Sequence, residues 1–473
     1  MAALYLVPTP GIALMLGVLL LSAAAIFSYC KGTQKSIGKL LSSFPEKPST
    51  TKSQEISYTN VFPPSQRQQL SLLDPKFAGA KEIDLATVPS SRIVKLNEDV
   101  SKCSDTQYNF SGFSVKDIRL LGRFPDYATL SGVPLPAALP DFDITKAKPR
   151  PYRPFRWPYH QTMSLTKLDA DYWIELESTY CERIAQRKQL YEEQGTGVLD
   201  SMPGSELACR ELMEMVLQFV CTRYPNQFQL DGYVFVNQIL NTRTDLATTP
   251  PLLVLLHNVP EDFGIMLRDD VTGRYVLRGG MVCSSVGWKL SEKVGLGLPG
   301  IHKVVPDYKE KMEFSMDRFF TKMPVSKPIQ RGSWGLEVGR PLFIPADHPD
   351  FEEREKQNPT LTADDVYLRV DWQTLRRLPL SGAIVFNFKA LFTPLTEFKD
   401  EPCVPSLVLK VLNEGKDNIM KYKGTWHVEH VAKPTLREYE QFQISTGLME
   451  ADWEPHSLPD SPFFKGWERK ASI

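Results

Sequence analysis

The sequence predicts an α+β fold, a largely antiparallel sheet flanked by helices, and three observations carry that prediction. First, two helical patterns open the dense part of the chain. After Asp169 or Asp171 as N-cap, Tyr172, Leu176, Tyr180, Ile184 and Leu190 follow one face of a helix running to about residue 193. A second helix, about residues 206–224, turns Leu207, Met213, Val216, Leu217 and Val220 toward a core between Pro203-Gly204 and Pro225. Second, the period then changes to apolar or β-branched runs of strand length at 228–240, 252–257, 263–267 and 274–283. The last two are joined by Asp270-Val271-Thr272-Gly273, which has the chemistry of a hairpin turn. Third, strand-like pieces recur later, at 333–338, 366–372 and 383–388, with a short turn or helix expected at 374–379.

Composition bounds the partners. The chain has 473 residues, 42% of them apolar, enough for one large domain with appendages or for two or three domains. Its formal net charge of −1 gives no global basic field of the kind that nucleic acid selects. The seven cysteines are odd in number and none has C-x-x-C spacing, which argues against a zinc ribbon or iron–sulfur site and for reduced, mostly buried thiols. Residues 11–29 carry no charge and approach the ~20 apolar residues that cross a bilayer. No Lys or Arg precedes this run, whereas Lys31, Lys35 and Lys39 follow it, which favours a single-pass N-terminal transmembrane helix with the body in the cytosol. Cleavage of a signal peptide near Ser22-Ala23-Ala24-Ala25 is the alternative, and glycan on the sequon Asn109-Phe110-Ser111 would reveal it. The endoplasmic reticulum is the default membrane for such an anchor.

The expected organisation is a short N-terminus (1–10), an anchor (11–30), a Pro/Ser-rich tether and covering segment (31–150), a main domain (151–425) and a polar appendage (426–473). The chain lacks G-x-S-x-G, P-loop and H-E-x-x-H signatures, and its glycine-rich 295–300 stretch opens no helix, so it reads as a turn. Of seven histidines, His427 and His430 read as a solvated pair, His348 as a loop residue and His257 as a strand cap. His160 and His302 have the richer surroundings. His302 follows the Pro299-Gly300 break and precedes Pro306, Tyr308 and an amphipathic helix expected at 307–323, which ends in Asp317-Arg318-Phe319-Phe320. A metal-binding side chain at the mouth of a turn, beside an apolar wall, can seat a planar cofactor. Heme needs an apolar pocket, an axial ligand and basic groups for its propionates. His302 offers the ligand, and Arg318, Arg331, Arg376 and Arg377 offer the charge, with surface salt bridges as the other reading of each arginine.

Several segments together resemble one family. They are Leu290-Ser-Glu-Lys-Val-Gly, Ile301-His302 with Val305-Pro306-x-Tyr308, Asp317-Arg318-Phe319-Phe320, Trp334-x-Leu336, Leu368-Arg-Val-x-x-Gln373-Thr-Leu-Arg-Arg-Leu-Pro379, Ser381-Gly382-Ala383 and Tyr422-Lys423-Gly424. In this order and spacing, over about residues 154–424, they resemble the heme-dependent oxidative N-demethylase family, the fungal HRQ family proteins and the bacterial dimethylamine monooxygenase alpha subunit. The resemblance implies a PAS-like fold that binds heme b, with His302 as iron ligand and Arg318, Arg376, Arg377 and Tyr308 around the cofactor. It implies oxidative demethylation of a small amine, with electrons from NADPH through a separate reductase. Gln373 would then line or support the pocket, and Glu337, chosen by position against the plainer reading of a surface carboxylate, would bind a cationic amine. Two positions depart from the family pattern. Trp372 stands where an Arg usually precedes the Gln, and Ser333-Trp334-Gly335-Leu336-Glu337 replaces Asn-Trp-Ser-Leu-His. A non-enzymatic heme or ligand sensor and a membrane-anchored interaction protein are the competing functions.

Overall fold

The computed structural model describes residues 88–160 and 162–471. The apolar run at 11–29, Cys30 and residues 31–87 of the expected tether and covering segment lie outside them, and among the described residues no helix is long and apolar enough to cross a membrane. Short capped helices open the described chain. α1 (Val115–Leu121) starts with a capping box, in which the Ser114 and Asp117 side chains satisfy each other's backbone N–H groups. α2 (Tyr127–Ser131) is capped by Asp126, and both helices feed side chains into the main core instead of forming one of their own.

Two longer helices follow, α3 (Tyr180–Gln194) and α4 (Glu206–Arg223). α4 matches its expected span to within a residue, but α3 starts later than the pattern implied. Asp169 caps only a 3₁₀ turn at Ala170–Tyr172, and the chain is irregular until Thr179. The run at 252–257, expected as a strand, is helix α5 (Pro251–Asn258). Pro251 sits in its first turn, where a missing N–H costs nothing, and a short apolar run does not itself distinguish helix from strand. Beyond the sheet hairpin lie α6 (Leu298–Ile301), α7 (Tyr308–Lys311) and α8 (Glu313–Lys322). The helix expected at 307–323 is thus broken at Met312, and α6 begins inside the supposed glycine turn. α9 (Pro349–Glu353), α10 (Val404–Glu414), α11 (Asp417–Lys423) and α12 (Trp426–Thr446) complete the helices. α12 falls where an appendage was expected, yet it buries Val428, Ala432, Leu436 and Tyr439 in the main core.

The strands are β1 (Thr166–Lys167), β2 (Leu199–Ser201), β3 (Phe228–Asp231), β4 (Val234–Asn237), β5 (Thr242–Asp245), β6 (Asp262–Arg268), β7 (Tyr275–Met281), β8 (Ile329–Val338), β9 (Val366–Arg377) and β10 (Ile384–Pro394). β3, β4 and β5 form a small sheet. The others make one antiparallel sheet in the order β1-β8-β9-β10-β6-β7-β2. β9 runs through Arg377, so the turn or helix expected at 374–379 is strand, and the chain reverses at 378–383 instead. Gly382 has φ +69 there and packs against the Ser111 backbone, a place where a side chain would be strained.

Side chains alternate across the sheet, and the two faces are covered differently. On one face Trp334, Leu336, Leu368, Val370, Trp372 and Val385 join the large core with α1, α3, α4, α5, α10 and α12. On the other, Met266, Leu375 and Ile384 pack under Met312, Met316 and Phe320 of the α7–α8 segment. Each fully buried side chain of this kind contributes about 1.5–3 kcal/mol. The second cover stops short of the next rung, and that gap positions the site.

Candidate functional site

Arg331, Gln373 and Phe388 are directly opposite one another on β8, β9 and β10. They share the face of Leu375 and Ile384, but all three are only half-buried, as are Phe386, Ser333 and Asp371 around them. Half-exposed aromatic and polar side chains in the central strands of a seven-stranded sheet mark a strip left uncovered by helices. One rung away, Leu375 is 3% exposed and Ile384 0%.

His302 is tied to this strip by a sequence of contacts. The Trp288 ring lies 6.4 Å from that of Phe388. Lys293 lies over Trp288, 5.1 Å from its centroid, and donates to the Ile301 carbonyl at 3.0 Å. His302 comes next, at the C-terminal end of α6. Its Nδ1 is 2.8 Å from the Leu298 carbonyl, which can only accept, so Nδ1 carries the proton and Nε2 keeps its lone pair. The ring stacks on Tyr308, centroids 4.9 Å apart and planes 7° apart, which fixes its orientation. Burial, with Arg331 and Lys293 adding to it, holds the imidazole below its usual pKa, while the Leu298 carbonyl opposes them, so the ring is neutral at pH 7. A neutral imidazole with Nδ1–H on a backbone carbonyl is the form that ligates a metal through Nε2.

The far side of the strip is basic. Lys423, at the end of α11, donates to Ser333 Oγ at 3.2 Å and to the Trp334 carbonyl at 2.9 Å. Burial first, then Arg331 and Arg156, bring its ammonium down to about 7 against the opposing effect of Asp371. Arg331 has no carboxylate partner among the described residues, and its buried Nε has no hydrogen-bond partner. The residues present therefore fit a heme on four counts: a prepared histidine, an aromatic strip, a wall of Met and Phe from α7–α8, and cations without counter-ions. Among the described residues no group of three or more His, Cys, Asp or Glu could hold a metal ion.

The other expected residues divide. Tyr308 stacks on His302, and Gln373 lies on the strip between Arg331 and Phe388. Arg318 is exposed on α8, away from the strip. Arg376 points through the sheet to the other face, over Trp173 at 4.5 Å and near Ser131, because neighbouring strand residues alternate sides. Arg377 shares the strip's face but has no donor to spare. It gives Nε to the Met323 carbonyl (2.6 Å), Nη1 to Tyr275 Oη (2.6 Å) and Gly382 O (2.9 Å), and Nη2 to Phe320 O. It caps the C-terminal end of α8. Glu337 is neither a surface group nor free for a substrate. It is 4% exposed and bonded to Arg354 at 2.8 Å, with His427 Nε2 3.7 Å away. Burial raises its carboxyl to about 6 and lowers His427 to about 4, so the ion pair is Glu337–Arg354 and His427 is neutral. His427 is accordingly buried, not solvated, and His160 is exposed. Trp372, the departure from the family pattern, lies on the face away from the strip, with Nε1 3.2 Å from Gln330 Oε1. The carboxylate that does stand on the strip is Asp371.

Lys293 and Lys423 lie in segments that carry the resemblance, and Arg156 lies near its start, but the sequence gives none of the three a role. The signal was positive charge inside otherwise apolar motifs. A recess of about 530 Å³ around Arg150, Arg153 and Lys470 backs onto Val370 and Leu391 of the opposite face. Its charges are already matched, Arg153 with Glu401 at 2.6 Å and Lys470 with Glu401 at 3.0 Å, so it has little left to offer a ligand.

Comparison with known families agrees with this geometry. The family profile described as "Haem-dependent oxidative N-demethylase, alpha subunit-like" matches residues 164–433, from just before β1 to within α12. That span is more than half of the 473 residues and includes His302, the strip and Lys423. The chain belongs to the haem-dependent oxidative N-demethylase alpha subunit-like family.

Proposed function

We propose that this chain binds heme b through His302 and acts as the oxidative subunit of an N-demethylase on a small amine. The observation that carries the reading is His302 itself, with Nδ1 committed to the Leu298 carbonyl and Nε2 without a hydrogen-bond partner among the described residues, beside an uncovered sheet face. A bound heme would supply the redox and dioxygen chemistry. The chain's own residues do the rest. Leu298 and Tyr308 hold the ligand ring, Phe386 and Phe388 provide apolar contact, and the cover from α6–α8 excludes water from one side. Asp371 replaces Glu337 as the carboxylate that receives a cationic amine. It is shared with Arg369 at 3.0 Å, so its pull on a substrate is moderated. Lys423, with a pKa near neutrality, can hold or release a proton at Nζ.

Electrons would come from NADPH through a separate reductase. Supporting this, the glycine-rich stretch at 295–300 opens only the four-residue α6, too short to carry a dinucleotide pyrophosphate at its start. The charge-free run at 11–29 followed by three lysines supports a membrane anchor with a cytosolic body, by default in the endoplasmic reticulum. In agreement with a cytosolic body, the sequon residue Asn109 is buried and its amide donates to the Leu380 carbonyl at 2.7 Å. The test is reconstitution with hemin, reduction, and exposure to oxygen and N-methylated amines such as dimethylamine. Formaldehyde release is expected. Stable heme binding with no formaldehyde from any amine, given a matched reductase, would select the sensor reading instead.

A further inference from the structure

Arg156, Arg331 and Lys423 come together at the β8 edge of the strip from three distant parts of the chain. Lys423 bonds Ser333, two residues from Arg331 on the same face of β8, and its Nζ lies 6.0 Å from the ring centroid of Tyr159, three residues from Arg156; burial, and then mutual repulsion, lowers Arg331 and Lys423. The phenols of Tyr159 and Tyr422 flank them. Arg156 donates to Ser164 Oγ, Lys423 is held by Ser333 and Trp334, and Arg331 Nε is unsatisfied. None of the three has an ion pair among the described residues, and Asp371 is engaged by Arg369. Several buried arginines in this protein are neutralised, Arg153 by Glu401 at 2.6 Å and Arg187 by Asp262 at 2.5 Å, and Arg377, buried without an ion pair, spends its donors on carbonyls and a phenol. Gathering three half-buried like charges without a counter-ion is unfavourable, so a fold that does so at the border of its site is suited to receive an anion.

We propose that Arg156, Arg331 and Lys423 form a carboxylate seat on the border of the strip. Two carboxylates could fill it: the propionates of the cofactor, which we favour and which rests on the heme reading above, or the acid group of an N-methylated amino acid substrate. Guanidinium forks take carboxylate oxygens in pairs, and Lys423 adds a point charge at the rim.

The full-length chain, R331M and K423M are titrated with hemin and with hemin dimethyl ester, following the Soret band and the rate of transfer to apomyoglobin. Separately, the melting temperature of each heme-free protein is measured with succinate and with chloride at equal ionic strength. We expect the unmodified chain to release the ester at least ten times faster than hemin. Each variant should release hemin about ten times faster than the unmodified chain and release the ester at an unchanged rate, with R331K intermediate. Succinate should raise the melting temperature of the unmodified chain and of neither variant. If hemin and ester behave alike but the Soret response to N-methylglycine is lost in both variants while that to dimethylamine persists, the seat serves the substrate. If none of these probes discriminates, the seat is overturned while heme binding stands. Absence of any Soret band would sink the heme reading, and the succinate shift alone would then decide the seat. R331M should not unfold the protein, because it removes a repulsion, and K423M gains the same relief against the loss of its bonds to Ser333 and Trp334.

Discussion

Arg377 offers a sharp test of how the wall of the site is held. In the structure it is a clamp, not a cofactor contact. One guanidinium ties the last carbonyls of α8 to Tyr275 of β7 and to the Gly382 carbonyl at the β9–β10 reversal. Replacement by Met keeps the volume and removes every donor. Four hydrogen bonds from a charged donor are worth about 1.5–3 kcal/mol each, and the orphaned carbonyls of Phe320 and Met323 lie near the buried end of a helix. Against this stands the relief from burying an unpaired cation, several kcal/mol. The net loss should be about 3–4 kcal/mol. With an unfolding entropy of about 2 cal/mol/K per residue, a body of this size should melt roughly 4 °C lower. Urea unfolding gives the free energy, and hydrogen exchange gives its location: amides of α8 should lose protection before those of α4. R377K should not rescue, since one ammonium cannot reach carbonyls and phenol together. A loss below about 1 kcal/mol with α8 protection intact would refute the clamp and return Arg377 to the propionate candidates.

Further outcomes follow from the same geometry. W372R, which restores the residue usual in the family, should cost about 3–5 kcal/mol, because it buries a charge on the closed face beside Tyr152, and should leave the Soret position of the folded fraction unchanged. A changed Soret band would mean that position 372 reaches the site. R318M should alter stability by no more than about 0.5 kcal/mol and leave hemin release unaltered, as for an exposed side chain. Glu211 accepts the Leu380 and Ser381 N–H groups at 2.6 and 2.7 Å, and burial raises its pKa to about 7. The folded state thus keeps a proton that the unfolded chain loses near pH 4.3, so this contribution to stability is present at low pH and lost as pH rises through about 7. The stability advantage of the unmodified chain over E211Q should be larger at pH 5 than at pH 8, and an equal advantage at both would contradict the shift.

What the sequence conveyed depended on whether a signal was local. Residues 206–223 read correctly because Pro203-Gly204, Pro225 and an apolar pattern all agree on one helix. Residues 252–257 misread because six apolar residues suit either helix or strand, and Pro251 at the helix start was the overlooked cue. β9 was cut short at 372 because Arg376 and Arg377 resemble a turn or surface segment, whereas tertiary contacts bury both. Pro434 within α12 and the polarity of that segment hid a helix whose apolar stripe is packed. At the site, His302, Tyr308 and Gln373 are legible as motif members and Arg331 as one of four candidate arginines. Sidedness is not. Only the register of β8, β9 and β10 shows that Arg331 and Gln373 share the strip while Arg376 and Trp372 face away. Nor does the sequence reveal that Glu337 is already bound by Arg354.

The central claim is that His302 is the protein ligand of a heme seated on the strip, and a cavity substitution tests it most directly. The full-length H302G protein is loaded with hemin and its absorption spectrum recorded, ferric and ferrous, before and after adding imidazole. We predict that the unmodified chain gives a histidine-ligated Soret band, that H302G loses it, and that imidazole restores it by occupying the vacated space beside Tyr308. An H302G spectrum identical to that of the unmodified chain, with or without imidazole, would contradict the assignment and move the ligand elsewhere in the fold.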